Sequence, residues 1–202
     1  AGKNGTEHIM KATAVSLIAL FETKMQLEVP LFQRQYVWQQ EKHWEPLWED
    51  ISRKFTDCLD GRKNAPVHFL GAMVLDQKQT PATHVAKRQV IDGQQRLTTF
   101  QIFLSAFRDF CDVNDCEGMA KECLSYTQNR GMMSAPEVDK FKVWPTQLDR
   151  PQFEDVVSAG SRNELLKRYP ERRRPRARKP DPRPRMVEAY LFFYQQLSDF
   201  LL

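Results

Sequence analysis

The chain has 202 residues, 41% of them apolar, with 30 Lys and Arg against 26 Asp and Glu for a net charge of +4. Charged residues at 28%, with 8 Gly and 12 Pro, exclude the disordered and collagen-like composition classes, and the length suits one domain or one domain plus a helical extension. The longest nearly apolar run, Ala14 to Phe21, is far short of the roughly 20 residues that span a bilayer, and no stretch has the order of a secretory leader, so no membrane partner is expected.

Residues 1–10 read as a disordered start or a cloning remnant. Ala14, Leu17, Ile18 and Phe21 have helical spacing, and Met25, Leu27 and Val29 alternate like a strand before Pro30. From Glu41, the positions Trp44, Leu47, Trp48, Ile51, Phe55, Cys58 and Leu59 predict an amphipathic helix that Gly61 stops. His68 to Leu75 and Val85 to Ile91 predict two strands separated by a polar turn near Thr80 and Pro81. The second ends in Asp92-Gly93, and Leu97, Phe100, Phe103, Leu104, Phe107 and Phe110 then mark a helical stripe. Asp149-Arg150-Pro151-Gln152 has the form of an N-cap followed by Pro in the first turn, opening a helix through Val157. Val187, Tyr190, Leu191, Tyr194 and Leu197 form a last amphipathic helix, from Met186 to Leu202, whose uncapped end leads us to expect that the natural protein continues. The elements predict a mixed α+β fold.

The four cysteines (58, 111, 116 and 123) form no C-x-x-C pair, which points to free thiols and a reduced, cytoplasmic setting. The scattered histidines (8, 43, 68 and 84) stand at no ligand spacing to them, so no protein-held metal site is expected. Positive charge concentrates in residues 168–185, where nine basic residues face only Glu171 and Asp181 and five prolines interrupt them. Such a segment forms neither a helix nor a central strand, and reads as an extended linker. Its Arg172, Arg173, Arg174, Arg176, Arg178 and Lys179 are candidate DNA-backbone contacts. The alternative is a flexible surface loop with no aromatic between Pro170 and Arg185 for base stacking.

The segment Val90 to Thr99 carries the most chemistry. A strand that ends in a glycine turn and leads straight into a helix leaves backbone N–H groups unpaired at the positive end of the helix dipole. Gly93 permits close approach of an anion, Arg96 offers a two-pronged guanidinium, and Thr98 or Thr99 adds a hydroxyl. The competing reading is structural: Asp92 caps the helix, Gly93 relieves a positive φ, and Gln94 and Gln95 are surface residues. A second cluster, Val29 to Trp38, joins Arg34 to the flat faces of Tyr36 and Trp38, which could stack on a base or pack in a core.

Together these words resemble the N-terminal domain of the GmrSD-type, modification-dependent restriction endonucleases. The resemblance rests on Pro30-x-x-Gln33-Arg34-x-Tyr36-x-Trp38, the helix that follows, Phe69-Leu70-Gly71, and Ile91-Asp92-Gly93-Gln94-Gln95-Arg96-Leu97-Thr98-Thr99, in that order. Lys142 to Thr146, Asp149-Arg150, Phe153 and Ala189 to Phe193 are weaker signatures, and the stretch around Cys116 to Val138 has no counterpart. The resemblance implies a ParB/sulfiredoxin-like fold: a small sheet with surrounding helices over residues 11–115, and a helical extension over 116–202 that contains the basic linker.

It further implies a nucleoside triphosphate with Mg2+ bound and hydrolysed on the Gly93 to Arg96 turn, in a domain that regulates DNA cutting, including modified phage DNA, by a nuclease module outside this chain. No histidine follows His84 to supply an H-N-H cluster. The implied nucleotide contacts are Gln33, Arg34, Tyr36, Trp38, Gly71, Gly93, Arg96, Thr98 and Thr99. The implied catalytic set is Asp92 as base or metal-supporting carboxylate, Gln94 or Gln95 orienting water, and Arg96 neutralising charge, whose loss would cost about 2–4 kcal/mol in the transition state. Sulfiredoxin-type sulfur chemistry is not expected, since Gln94 stands where a reactive cysteine would. Asp149 has two readings, a site residue by the family word and a helix cap by local grammar, and the cap is preferred. Two other classes stay open: a non-enzymatic DNA-binding or modified-base-sensing domain using Tyr36, Trp38 and the basic loop, and a scaffold.

Overall fold

The computed structural model describes residues 13–62, 69–81, 84–175 and 178–202. The expected disordered start, His68 of the first predicted hairpin strand and Arg176 of the basic loop lie outside them.

Ser16 opens α1 (Leu17–Glu22) by accepting a hydrogen bond from the Ala19 amide at 3.1 Å, and this short helix buries Phe21. β1 (Met25–Glu28) follows and is buried along most of its length. The predicted helix from Glu41 begins as a single π-helical turn over Gln40–Trp44 and continues as α2 (Glu45–Leu59), with Pro46 in its first turn, where an N–H has no intrahelical partner.

β2 (Val74–Gln77) and β3 (Ala86–Asp92) form the predicted hairpin, antiparallel to each other. β2 begins later than the His68–Leu75 run predicts. The Leu70 and Ala72 carbonyls are taken by Arg96, and residues 69–73 do not join a ladder. The ladder also slips: Val74 pairs with Asp92 but Leu75 pairs with Val90, so Ile91 bulges and its carbonyl is left for a side chain.

α3 (Gln94–Val113) starts directly after Gly93 and is the central helix, burying Leu97, Ile102, Ala106 and Phe110 among others. Asn114, whose Nδ2 donates to the Phe110 carbonyl at 2.8 Å, and Asp115 at φ 56° end it. α4 (Glu117–Thr127), α5 (Pro136–Asp139), β4 (Val143–Trp144) and α7 (Arg162–Arg168) are elements the sequence patterns did not announce. α6 (Arg150–Val157) and α8 (Arg185–Leu201) stand where their patterns predict.

The strand order is β2-β3-β1-β4, with β1 parallel to both β3 and β4, which makes the fold α+β. Residues beyond 115 build the same sheet through β4 and the same core through Phe153, Tyr190 and Phe193, which are fully buried. Burying a side chain of that size contributes about 1.5–3 kcal/mol. The basic segment is irregular, as its prolines dictate, but it is pinned: the Asp181 amide donates to the Arg172 carbonyl at 2.8 Å, and Arg174 pairs with Asp181 at 2.8 Å. All four cysteines are free, Cys111 and Cys123 in the interior. Among the described residues no helix is long and apolar enough to cross a membrane.

Candidate functional site

The three mutually parallel strands run in one direction, so their carboxyl ends open on one edge of the sheet. In open sheets that edge is where ligands settle. β1 ends at Glu28 and releases the segment 29–38, β3 ends at Asp92 and turns through Gly93 into α3, and β4 ends at Trp144 and releases the strap 145–150. These three exits meet around a small polar notch. Val29, Arg34 and Tyr36 line it from the first segment, Gln94, Gln95 and Thr98 from α3, and Pro145, Thr146 and Asp149 from the strap. Its free space is about 10 Å³, enough for one water-sized group.

Gln95 fixes the first segment to α3. Its side-chain amide donates to the Gln35 carbonyl at 3.0 Å and its oxygen accepts from the Val37 amide at 2.9 Å, so a single carboxamide mimics one rung of a β-ladder. Tyr36 completes the anchor from the inside. Trp44 Nε1 donates to its hydroxyl at 2.9 Å, the hydroxyl lies 2.8 Å from Thr99 Oγ1, and Thr99 donates to the Gln95 carbonyl at 2.8 Å. Burial raises the Tyr36 hydroxyl's pKa far above its ordinary value and keeps it neutral. Gln33 bridges the Ile91 carbonyl at the bulge, 2.9 Å, and the Gln94 amide, 2.8 Å.

Asp149 is the residue for which the structure reverses the preferred sequence reading. It precedes α6, yet its side chain caps no amide of that helix. Oδ2 instead accepts from the Tyr36 amide at 2.9 Å and from Thr146 Oγ1 at 2.8 Å. Thr146 explains why: its carbonyl already accepts the Asp149 and Arg150 amides, a turn that swings the carboxylate inward to the notch. Oδ1 receives no hydrogen bond among the described residues. Burial raises the carboxyl pKa, and the two hydrogen bonds oppose that shift. Arg34 lines the same notch, and its guanidinium makes no hydrogen bond or ion pair among the described residues.

Arg96 is placed otherwise. Successive helical residues turn by about 100°, so a face that presents residues 94 and 98 to the notch turns residue 96 away from it. Its Nη1 donates to the Leu70 carbonyl at 2.7 Å, its Nη2 donates to the Ala72 carbonyl, and Asp92 lies 3.7 Å away. Gly71 is the seat of that arrangement, and Gly93, at φ 102°, packs against Met73. Gly93 also leaves the α3 N-terminus without a side-chain cap.

Of the residues singled out in the sequence, the fold therefore gathers Arg34, Tyr36, Gln94, Gln95 and Thr98 at the notch and joins Gln33 and Thr99 to its frame. It leaves Gly71, Asp92, Gly93 and Arg96 outside the lining, and Trp38 stacks on His43 with ring centroids 5.0 Å apart. Thr146 and Asp149 enter from a strap whose only sequence signal was the Trp144-Pro145-Thr146 and Asp149-Arg150 word.

A second, larger groove of about 490 Å³ adjoins the notch, sharing Val29 and the opposite side of the strap. A family model described as the GmrSD restriction endonuclease, N-terminal domain, matches residues 17–201. No curated protein matches the chain. The match spans nearly the whole chain, and the chain belongs to that family.

Proposed function

We propose that this member of the GmrSD N-terminal domain family, and so a restriction-system component, binds a nucleoside triphosphate with Mg2+ and hydrolyses it to regulate DNA cutting by a separate nuclease domain or subunit. The observation that supports this most is that Arg34, with an unspent guanidinium, and Asp149, with a carboxylate oxygen that receives no hydrogen bond among the described residues, line one notch beside the uncapped start of α3. A notch of one-water size does not enclose a polyphosphate. It fits the attacking water or one phosphate oxygen, with the nucleotide lying in the adjoining groove.

Arg34, rather than Arg96, is the cation open to a phosphate, and the first amides of α3 add the positive end of the helix dipole. Gln94 is placed to orient a water, and Asp149 to accept its proton or to support a cation. Mg2+ is commonly held by one or two carboxylates plus phosphate oxygens rather than by a protein cage. Asp149 Oδ1 and the Thr98 hydroxyl fit that pattern, because neither makes a hydrogen bond among the described residues. Bound there, the ion would offset phosphate charge; the protein groups orient the water and receive its proton.

A thermal-shift screen of the four triphosphates, with and without Mg2+, tests the reading on the whole chain. The expected result is a Mg2+-dependent rise in Tm that Arg34→Ala weakens by about 10- to 100-fold in affinity, the worth of one charge-assisted contact. The unliganded Tm should not change, since Arg34 makes no hydrogen bond or ion pair among the described residues. A flat response to all four nucleotides rejects the proposal.

A second reading concerns DNA. Arg172, Arg178 and Lys179 are exposed on the pinned basic loop, and Arg185, which opens α8 directly after it, donates to the Val37 carbonyl at 2.8 Å, in the segment that borders the notch. We assign DNA-backbone contact to that loop. Base sensing through Tyr36 and Trp38 loses its support, since one ring is buried and hydrogen-bonded and the other is stacked on His43.

A further inference from the structure

We propose that the groove beside the notch is a nucleobase subsite, in which the side-chain amides of Gln89 and Gln147 read the base edge and Phe32 covers its face. This rests on the nucleotide reading above and adds where specificity for the base resides.

The groove has the volume of a small-molecule site. The end of β4 and the strap divide it from the notch: Trp144, Gln147 and Arg150 line the groove, while Pro145, Thr146 and Asp149 line the notch. One ligand can therefore reach both, since consecutive residues are only about 3.8 Å apart.

What the groove leaves unspent indicates the occupant's chemistry. Its charges are already committed. Glu28 holds Lys78 at 2.6 Å and Lys87 at 2.9 Å, and Arg150 lies over the Trp144 ring at 4.9 Å while donating to the Pro145 carbonyl. The ion pairs hold the Glu28 carboxyl below its usual range against the opposing effect of burial. A cationic ligand would have to displace one of these lysines from Glu28.

The Gln89 and Gln147 amides, by contrast, make no hydrogen bond among the described residues. Gln89 stands in register with Glu28 across the parallel β1–β3 pair, which brings both side chains out on the groove face. Each amide offers two donors and an acceptor, the complement of a neutral heteroaromatic edge. Phe32 is 81% exposed at the rim and its ring makes no ring contact among the described residues, so it is free to stack. A neutral, flat, edge-bonding ligand next to a polyphosphate site is a nucleobase.

The test uses isothermal titration of the whole chain, with Mg2+, against inorganic tripolyphosphate and each of the four nucleoside triphosphates. The wild type should bind one triphosphate more tightly than tripolyphosphate and than the other three. Gln89→Ala with Gln147→Ala, and separately Phe32→Ala, should each cut that preferred affinity about tenfold or more, the scale of a lost hydrogen bond or stacking contact, and leave tripolyphosphate binding unchanged. Equal affinity for tripolyphosphate and all four nucleotides, or nucleotide affinities untouched by the substitutions, overturns the subsite and leaves the polyphosphate reading standing. Failure of the wild type to bind any of the five ligands overturns both.

Discussion

Gly71 and Arg96 occupy adjoining space that admits no side chain between them: a Cβ on Gly71 would stand 1.9 Å from Arg96 Nη1. The two residues belong to separate sequence words, yet each explains the other. Gly71 lies at φ 93°, so alanine there carries a backbone strain of about 1–3 kcal/mol and also displaces the guanidinium from the Leu70 and Ala72 carbonyls. Gly71→Ala should therefore lower the urea midpoint with m unchanged. In the Gly71→Ala background, Arg96→Met should cost less than it does in the wild type, because the bonds it removes are already broken. Additive costs would show that Arg96 acts elsewhere.

Tyr36→Phe removes one oxygen from the interior chain that runs from Trp44 through Thr99 to the Gln95 carbonyl. The buried indole N–H would lose its acceptor, at about 1–3 kcal/mol. The expected outcome is a lower Tm together with faster amide exchange at Val37, whose N–H is held by Gln95. Trp44→Phe should cost less in the Tyr36→Phe background than in the wild type, since the donor it removes is already unpaired there.

Asp149 separates stability from function. Its folded-state pKa is raised, so in the window between the ordinary carboxylate value and that raised value the folded protein holds more proton than the unfolded chain. Stability from this group is thus greatest at low pH and falls as pH rises through the window. Asn at 149 keeps an oxygen for the Tyr36 amide and Thr146 while removing the buried charge. Asp149→Asn should be as stable as the wild type or more so at pH 7–8, with the difference closing toward pH 4, and it should lose Mg2+-dependent nucleotide turnover. Denaturant melts across that pH range check the first part, and phosphate release checks the second.

Most of the frame was legible because it obeys local rules. The stripe from Leu97 to Phe110 has one period and one partner face, and the Asp92-Gly93 turn can be read without knowing its surroundings. The site was legible only in part, because its composition depends on which strands lie side by side. No pattern in Val143-Trp144 announces a two-residue strand; it exists because the amides of Leu27 and Val29 donate to the Lys142 and Trp144 carbonyls at 2.8 Å each. That pairing carries Asp149 to Tyr36, 113 residues distant. Local grammar, seeing only Asp followed by Pro, favoured a cap. Arg96 shows the converse: a guanidinium at a helix start fits an anion, and nothing in the sequence signals that the Leu70 and Ala72 carbonyls hold two of its nitrogens.

The basic loop yields a prediction in salt rather than in stability. Each phosphate neutralised releases counterions and contributes about 0.9 to the slope of log affinity against log salt on duplex DNA. Arg172, Arg178 and Lys179 are exposed, whereas Arg174 is paired with Asp181 and helps to hold the loop's shape. Replacing Arg172, Arg178 and Lys179 together by Ala should flatten the slope by up to about 2.7 on that scale and leave Tm unchanged. Arg174→Ala should change the slope less and act through loss of the Asp181 pair. Because the segment also carries Arg185, which holds the Val37 carbonyl, the triple variant should keep its nucleotide response: the lost charges lie outside that bond. Fluorescence anisotropy from 50 to 200 mM salt measures the slope, and a slope equal to the wild type's removes the loop from the DNA surface.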